Sequence, residues 1–453
     1  MVPEAMRPEQ PSTHPNRRFQ AESTLVGAGV LLLLLPWLFV SSPDYREVML
    51  LVFGIAAVCL AWLIPDLRAV VGGRIVRLAI ACIIVAHAAS LIGGLHHGGR
   101  VGTAVIGLVA GISGILGLGA LTWVLLRPRW RSWAWRTFIA LTVVLGVGSL
   151  LGFLVFNQWQ EDLTRHTPHM DTRRLSLVWA PRLLSGELGR QFWAHANTAA
   201  FLFATAWVVL VDALFRRPKH AMAGWALALL LAVAIFLTAS RSAWVMVILA
   251  LPPLLAFRTW RYALKVGTLL ALAGVLGIAA VNERTKPAAG GQTAQPADLL
   301  ATIHLGELAT RGSAGRLSAY QILWNDLAGH RIFGQGLAVT RKPVAHLLHE
   351  HSTYLATLRG GGVSALAAHL MLLGCTFRAA ILLSRRGCRW PLLLAITVFS
   401  GLLFDRSTVF KLTGFDEFPV HWLAVWIPLA MWSHERAQPL TASCQSIQPD
   451  TDA

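Results

Sequence analysis

Residues 101–126 read VGTAVIGLVAGISGILGLGALTWVLL, a run with no charged side chain. As a helix it is long enough to cross the ~30 Å of hydrocarbon in a bilayer. Its flanks are unequal. Arg100 stands alone on one side, while Arg127, Arg129, Arg131 and Arg136 crowd the other. Cytoplasmic loops of membrane proteins carry such an excess of arginine and lysine, so this one span already has a direction.

Working outward, further apolar blocks predict spans at 25–40, 47–64, 78–95, 138–156, 198–214, 222–237, 243–257, 264–281, 361–383, 390–404 and 419–432. Every second loop is basic. Arg68, Arg74 and Arg77 precede the third span; later loops hold Arg216, Arg217 and Lys219, then Arg258 and Arg261, then Arg385, Arg386 and Arg389. The short loops between them hold only Arg46, Arg100, Arg241 and the pair Arg406 and Lys411. A miscounted span would put this alternation out of phase. Arg7, Arg17 and Arg18 in the polar head agree with it. The expected fold is therefore all-α: a polytopic bundle of about twelve transmembrane helices with both termini in the cytoplasm. No cleavable signal peptide is evident, because the first apolar block follows a long polar head.

Composition agrees. Of 453 residues, 55% are hydrophobic and 13% charged, against about 25% charged in soluble domains. The net charge of +17 would suggest nucleic acid in a soluble chain, but in this setting it is the topological charge of membrane loops, and no nucleic-acid partner is expected. Cys59, Cys82, Cys375, Cys388 and Cys444 show neither metal-finger spacing nor a disulfide framework. The expected organisation is a cytoplasmic tail over 1–24, nine helices over 25–281, a periplasmic loop over 282–360, three helices over 361–432 and a cytoplasmic tail over 433–453. Another polar segment, 157–197, falls on the same far side. The cytoplasmic loops are all short, so any chemistry belongs at the periplasmic face. The long loop opens with a flexible stretch from Pro287 to Pro296, reads as helical from Leu299 to Leu327, and then turns through Gly334-Gln335-Gly336.

Three places hold residues that are costly there. Thr238-Ala239-Ser240-Arg241-Ser242-Ala243-Trp244 joins two spans through a very short turn. Arg241 either snorkels to the headgroups or clamps an anion, since a guanidinium fork matches phosphate geometry. Arg311-Gly312-Ser313-Ala314-Gly315-Arg316, with Trp324 and His330-Arg331-Ile332-Phe333-Gly334-Gln335-Gly336 beyond it, puts positive charge where topology does not ask for it. It is either a solvated loop helix or a binding surface. His346-Leu347-Leu348-His349-Glu350-His351-Ser352 gathers three histidines and a glutamate. The spacing is not that of a helical zinc site, and one histidine at the mouth of a bundle can act as a general base without metal. His195-Ala196-Asn197 reads as a polar lining pair or, the favoured reading, a helix start capped by Asn197, and His87 as a packed polar residue.

These places, in this order, are similar to the O-antigen ligase and polymerase family. The turn Thr238 to Ala243 resembles its "T-x-SRG/SA" segment, and Gly315-Arg316, Trp324 and Ile332 to Gly336 resemble its "R…W…(P/I)xGxG" segment. His351-Ser352, nine residues, then Gly362 resembles the ligase pattern of His, a small amide or hydroxyl residue, nine residues and Gly. Ser352 stands where Asn is commoner, and Ala365 where Gly, Thr or Tyr is usual, so ligase and polymerase both stay open. The resemblance covers about residues 195–375. It implies an inverting, metal-independent glycosyltransferase of the bacterial inner membrane, without cofactor. Its donor would be an undecaprenyl-diphosphate-linked glycan, and its acceptor lipid A-core or another glycan repeat. Arg241 and Arg316 would bind the diphosphate, and His351 would be the catalytic residue. A rival class, a transporter or flippase of an anionic or lipid-linked solute, predicts an inverted repeat with broken helices, and neither is evident.

Overall fold

The computed structural model describes residues 22–27, 73–96, 98, 101–127, 196–216, 221–238, 240–256, 260–285, 321–336, 352–403 and 420–437, with parts of 52–59 and 130–150 and the pairs 177–178 and 193–194. The protein is helical over nearly all of them. The helices are α1 (Arg74–His96), α2 (Val101–Leu125), α3 (Ala196–Arg216), α4 (Ala221–Leu237), α5 (Arg241–Leu255), α6 (Trp260–Thr285), α7 (Thr353–Arg385), α8 (Trp390–Gly401) and α9 (Val420–Ala437). One antiparallel pair, β1 (Leu177–Val178) and β2 (Trp193–Ala194), precedes α3. Among the described residues, four helical stretches are long and apolar enough to cross a membrane: Arg74–His96, Val105–Leu125, Trp260–Ala280 and Thr353–Arg385. Ala200–Phe215, Met222–Leu237, Ser242–Leu255 and Trp390–Gly401 are apolar but shorter. Most of the expected spans at 25–40, 47–64 and 138–156, and most of the loops at 157–197 and 282–360, lie outside the described residues.

Helices dominate because a backbone in apolar surroundings must satisfy its own N–H and C=O groups. Lipid-like surroundings give no hydrophobic drive for helices to pair, so close approach through small residues does the work. On α2, a Cβ at Gly119 would lie 2.8 Å from the Trp426 indole of α9. On α8, Gly401 admits Phe201 of α3 and Met246 of α5, each under 3 Å from where its Cβ would stand. The apolar core runs through α1 to α9, with Trp207, Trp422 and Phe203 wholly buried.

The packing gives the bundle two ends. At one end Arg127 pairs with Glu22 and stacks 3.8 Å over Trp123. There, too, Arg386 reaches Glu435 at 3.1 Å, and Arg389 donates to the Ala256 carbonyl at 3.3 Å. The opposite end carries the 238–242 turn, the close of α8 at Leu402, the close of α1 and the segment 327–336.

Two helix boundaries differ from expectation. The helix α3 opens at Ala196, so Asn197 stands inside its first turn rather than capping it. The helix α7 opens at Thr353, eight residues before the expected span, but it is two helices joined across Gly362 (φ 67°, ψ −166°). The rings of Tyr354 and His369 lie 5.6 Å apart, whereas a straight helix would separate those positions by about 22 Å. The two arms therefore fold into a V. The apolar span expected from 361 onward is the second arm. The first arm, 353–361, is almost wholly buried in protein.

Candidate functional site

The site is built around that break. Where a helix stops and restarts, the bonds Val363 N–H to Arg359 C=O and Ser364 N–H to Gly360 C=O are lost. The backbone of 331–336 replaces both. Val363 N–H donates to the Arg331 carbonyl at 2.7 Å, and Ser364 N–H to the Ile332 carbonyl at 3.1 Å. In return, Gln335 N–H donates to the Arg359 carbonyl at 2.8 Å and Gly336 N–H to the Gly360 carbonyl at 2.9 Å. Four orphaned backbone groups are satisfied by one loop, as buried polar backbone requires. This is how a break within an apolar bundle is tolerated.

The glycines make the approach possible. Gly334 (φ 67°), Gly336 (φ 88°) and Gly362 adopt left-handed backbone that side chains resist. A Cβ on Gly334 would lie 2.5 Å from Gly362 N, and one on Gly336 would strike Gly94 of α1. A Cβ on Gly93 would overlap the Phe333 carbonyl. Three backbones thus meet without side chains between them. Below them Leu323 and Leu327 pack on Leu358 and Leu355 of the first arm and Leu366 of the second, each buried leucine contributing roughly 1.5–3 kcal/mol.

Polar groups tie the same parts together. Gln335, 4% exposed, donates its amide to the Asp326 carboxylate at 2.9 Å and to the Asp326 carbonyl at 3.1 Å. Its amide oxygen accepts from Arg359 Nε at 3.4 Å. Arg359 is itself 4% exposed. Sequence reading passed it over. The signal was there: Arg359 is the one charge between Thr353 and Gly362, and a guanidinium among apolar residues calls for a partner and a purpose.

Of the residues singled out beforehand, Arg316, Arg311, His346, His349, Glu350 and His351 lie outside the described residues, and of Arg241 only the helical backbone is described. Their neighbours are fixed. Ser240 is extended (φ −89°, ψ 117°), and its buried hydroxyl shares a 2.8 Å hydrogen bond with Ser242, so both serines flanking Arg241 turn inward. Thr238 braces the turn by accepting from Ser240 N–H at 3.3 Å. Ser352, next to His351, is buried and extended, and Thr353 N–H donates to the Leu402 carbonyl at 3.1 Å. Leu402 follows Gly401, which packs on Met246 of α5. The Arg241 turn, the start of the first arm and the 331–336 loop therefore share one end of the bundle. His87 is buried on α1, donating Nδ1–H to the Ile83 carbonyl at 2.8 Å, as a packed polar residue does.

Among the described residues no three His, Cys, Asp or Glu side chains gather at a metal-binding spacing; the cluster His346 to His351 lies outside them. Residues 226–370 match the family model described as O-antigen ligase. That interval runs from α4 through the 238–242 turn and the 331–336 loop to the second arm of α7. No curated protein matches the chain.

Proposed function

We propose, from the match of residues 226–370 to the family model described as O-antigen ligase, that the chain is a member of that family and transfers a glycan from undecaprenyl diphosphate to a hydroxyl of lipid A-core at the periplasmic face of the inner membrane. The observation that carries the proposal is the gathering of the three motif segments at one end of an apolar bundle. An acceptor hydroxyl attacks the anomeric carbon as the bond from that carbon to the diphosphate oxygen breaks. The electron pair leaves with the diphosphate, so negative charge grows there. Arg241 and Arg316 answer that charge with bidentate donors in a site partly shielded from water. His351 orients the hydroxyl and takes its proton, which then passes to solvent. A single displacement inverts the anomeric centre. The first arm of α7 supports this chemistry by holding Ser352 in place through Leu402 and Gln335. Membrane lipids surround the undecaprenyl chain.

A chromosomal deletion tests the proposal. Polymer should vanish from lipid A-core while lipid-linked polymer accumulates. A core capped by one repeat unit would instead identify a polymerase. In purified protein in vesicles, His351→Ala should abolish transfer with expression unchanged, and the native protein should keep its activity in EDTA. Loss on chelation with recovery on zinc would make His346, His349, Glu350 and His351 metal ligands and remove the base role.

A further inference from the structure

The segment that fills the helix break also presents apolar side chains outward. Ile332 is 64% exposed, and Phe333, Ile322 and Trp324 are exposed as well. These side chains cannot retract by a shift of the loop. The carbonyls of Arg331 and Ile332 are tied to Val363 and Ser364, and the Phe333 carbonyl is pressed on Gly93. Their exposure is built into the fold.

What lies beside them says what covers them. The exposed apolar stripe of α1 runs through Leu78, Val85, Ile92 and Leu95 and ends next to Gly93. The exposed stripe of α7 starts at Val363, whose N–H is bonded to Arg331, and runs on through Leu370 and Ile381. Both stripes recur at helical spacing on stretches apolar enough to cross a membrane, so they are lipid-facing surfaces. Ile332 and Phe333 extend both at the end where the loop is latched. At the edge of this patch the Arg331 guanidinium lies 4.9 Å over the Trp324 ring. An exposed tryptophan beside a cation is the pairing found at headgroup level, where one part is apolar and the other wet.

We propose that residues 322–333 are a lipid-contact element. Ile332 and Phe333 enter the acyl-chain boundary of the leaflet, and Arg331, held over Trp324, meets a headgroup phosphate. The element is then not part of an aqueous loop. It couples the leaflet surface to the first arm of α7, because the backbone that presents Ile332 to lipid also bonds Arg359 and Gly360. This inference concerns only where the element sits, and it stands whether or not the glycan-transfer reading does.

The test uses the full chain with Cys59→Ser and Cys444→Ser; Cys82, Cys375 and Cys388 are buried. Ile332→Cys, labelled with a nitrobenzoxadiazole dye, is reconstituted in vesicles of phosphatidylethanolamine and phosphatidylglycerol. The label should be quenched by a lipid carrying a doxyl group near its headgroup and shielded from aqueous iodide. A label at Asn325→Cys, on the side of the turn away from Leu323 and Leu327, should show the reverse. Adding Arg331→Gln should move the Ile332 label toward iodide quenching. Iodide quenching at 332 as strong as at 325 would place the element in water and overturn the proposal. Quenching by neither agent would mean that protein covers the patch, with the same result. Unchanged quenching in Arg331→Gln would remove the phosphate contact.

Discussion

Arginine and glycine carry opposite burdens in this protein. Arg241 and Arg316 are proposed to act through their planar forks, so replacing either with lysine keeps the charge but loses the paired donors. Transfer by Arg241→Lys or Arg316→Lys should fall by at least about tenfold, corresponding to about 1.4 kcal/mol of lost transition-state stabilisation, while the protein still inserts. Full activity in Arg316→Ala would remove that residue from the site. The glycines are tested by a matched pair. Gly98 (φ 71°) has open space where a Cβ would go, whereas Gly334 (φ 67°) has Gly362 N at 2.5 Å. Alanine at either position pays a left-handed penalty of about 1 kcal/mol. Only Gly334→Ala adds overpacking, about 1–3 kcal/mol more. Thermal unfolding in detergent should show a clearly lower Tm for Gly334→Ala than for Gly98→Ala; equal losses would mean that the backbones do not meet closely.

At the scale of elements, the exchange of hydrogen bonds across the break of α7 is the feature with consequences. A broken helix ordinarily leaves amides open to water, but here Val363 and Ser364 have donated to Arg331 and Ile332. Their amides should exchange with deuterium as slowly as those of Ala379 and Ala380 deep in the second arm. Gly93→Ala drives a methyl into the Phe333 carbonyl and should speed exchange at Val363 and Ser364 with little effect farther along α7. Uniformly fast exchange in the native protein would show that the loop does not fill the break. Broken helices were the mark expected of a transporter. Here the break is closed by the chain's own loop, and the arm before it leads back to Ser352.

Across the whole molecule, charge and geometry agree on two ends. Arg127, Arg386 and Arg389 come from two separate loops and gather at one end; Arg241, Ser352 and Gly336 gather at the other. We propose from the loop-charge rule that the arginine-rich end faces the cytoplasm, which would put the segment around Gln292 on the periplasmic side. Gln292→Cys should then react with an impermeant maleimide in intact spheroplasts, and cysteines added at either terminus should react only after lysis. Protection at position 292 would invert the topology and remove the periplasmic assignment of the site.

The sequence by itself determined the helical class and the order of the motif segments, because bilayer thickness acts on local composition, and its loop charge supplied the direction proposed for the spans. Residues 101–126 needed no partner to be read as a span. It also marked Gly334, Gln335, Gly336 and Gly362 as unusual. Only the tertiary structure decided what they do. That Gly362 breaks a helix, that the carbonyls of Arg331 and Ile332 mend it, and that Arg359 meets Gln335 all depend on segments 24 or more positions apart. Hydropathy reads each segment against the bilayer and reports nothing of one backbone satisfying another. Glycine runs tell the reader that something must come close, and the fold alone supplies what comes.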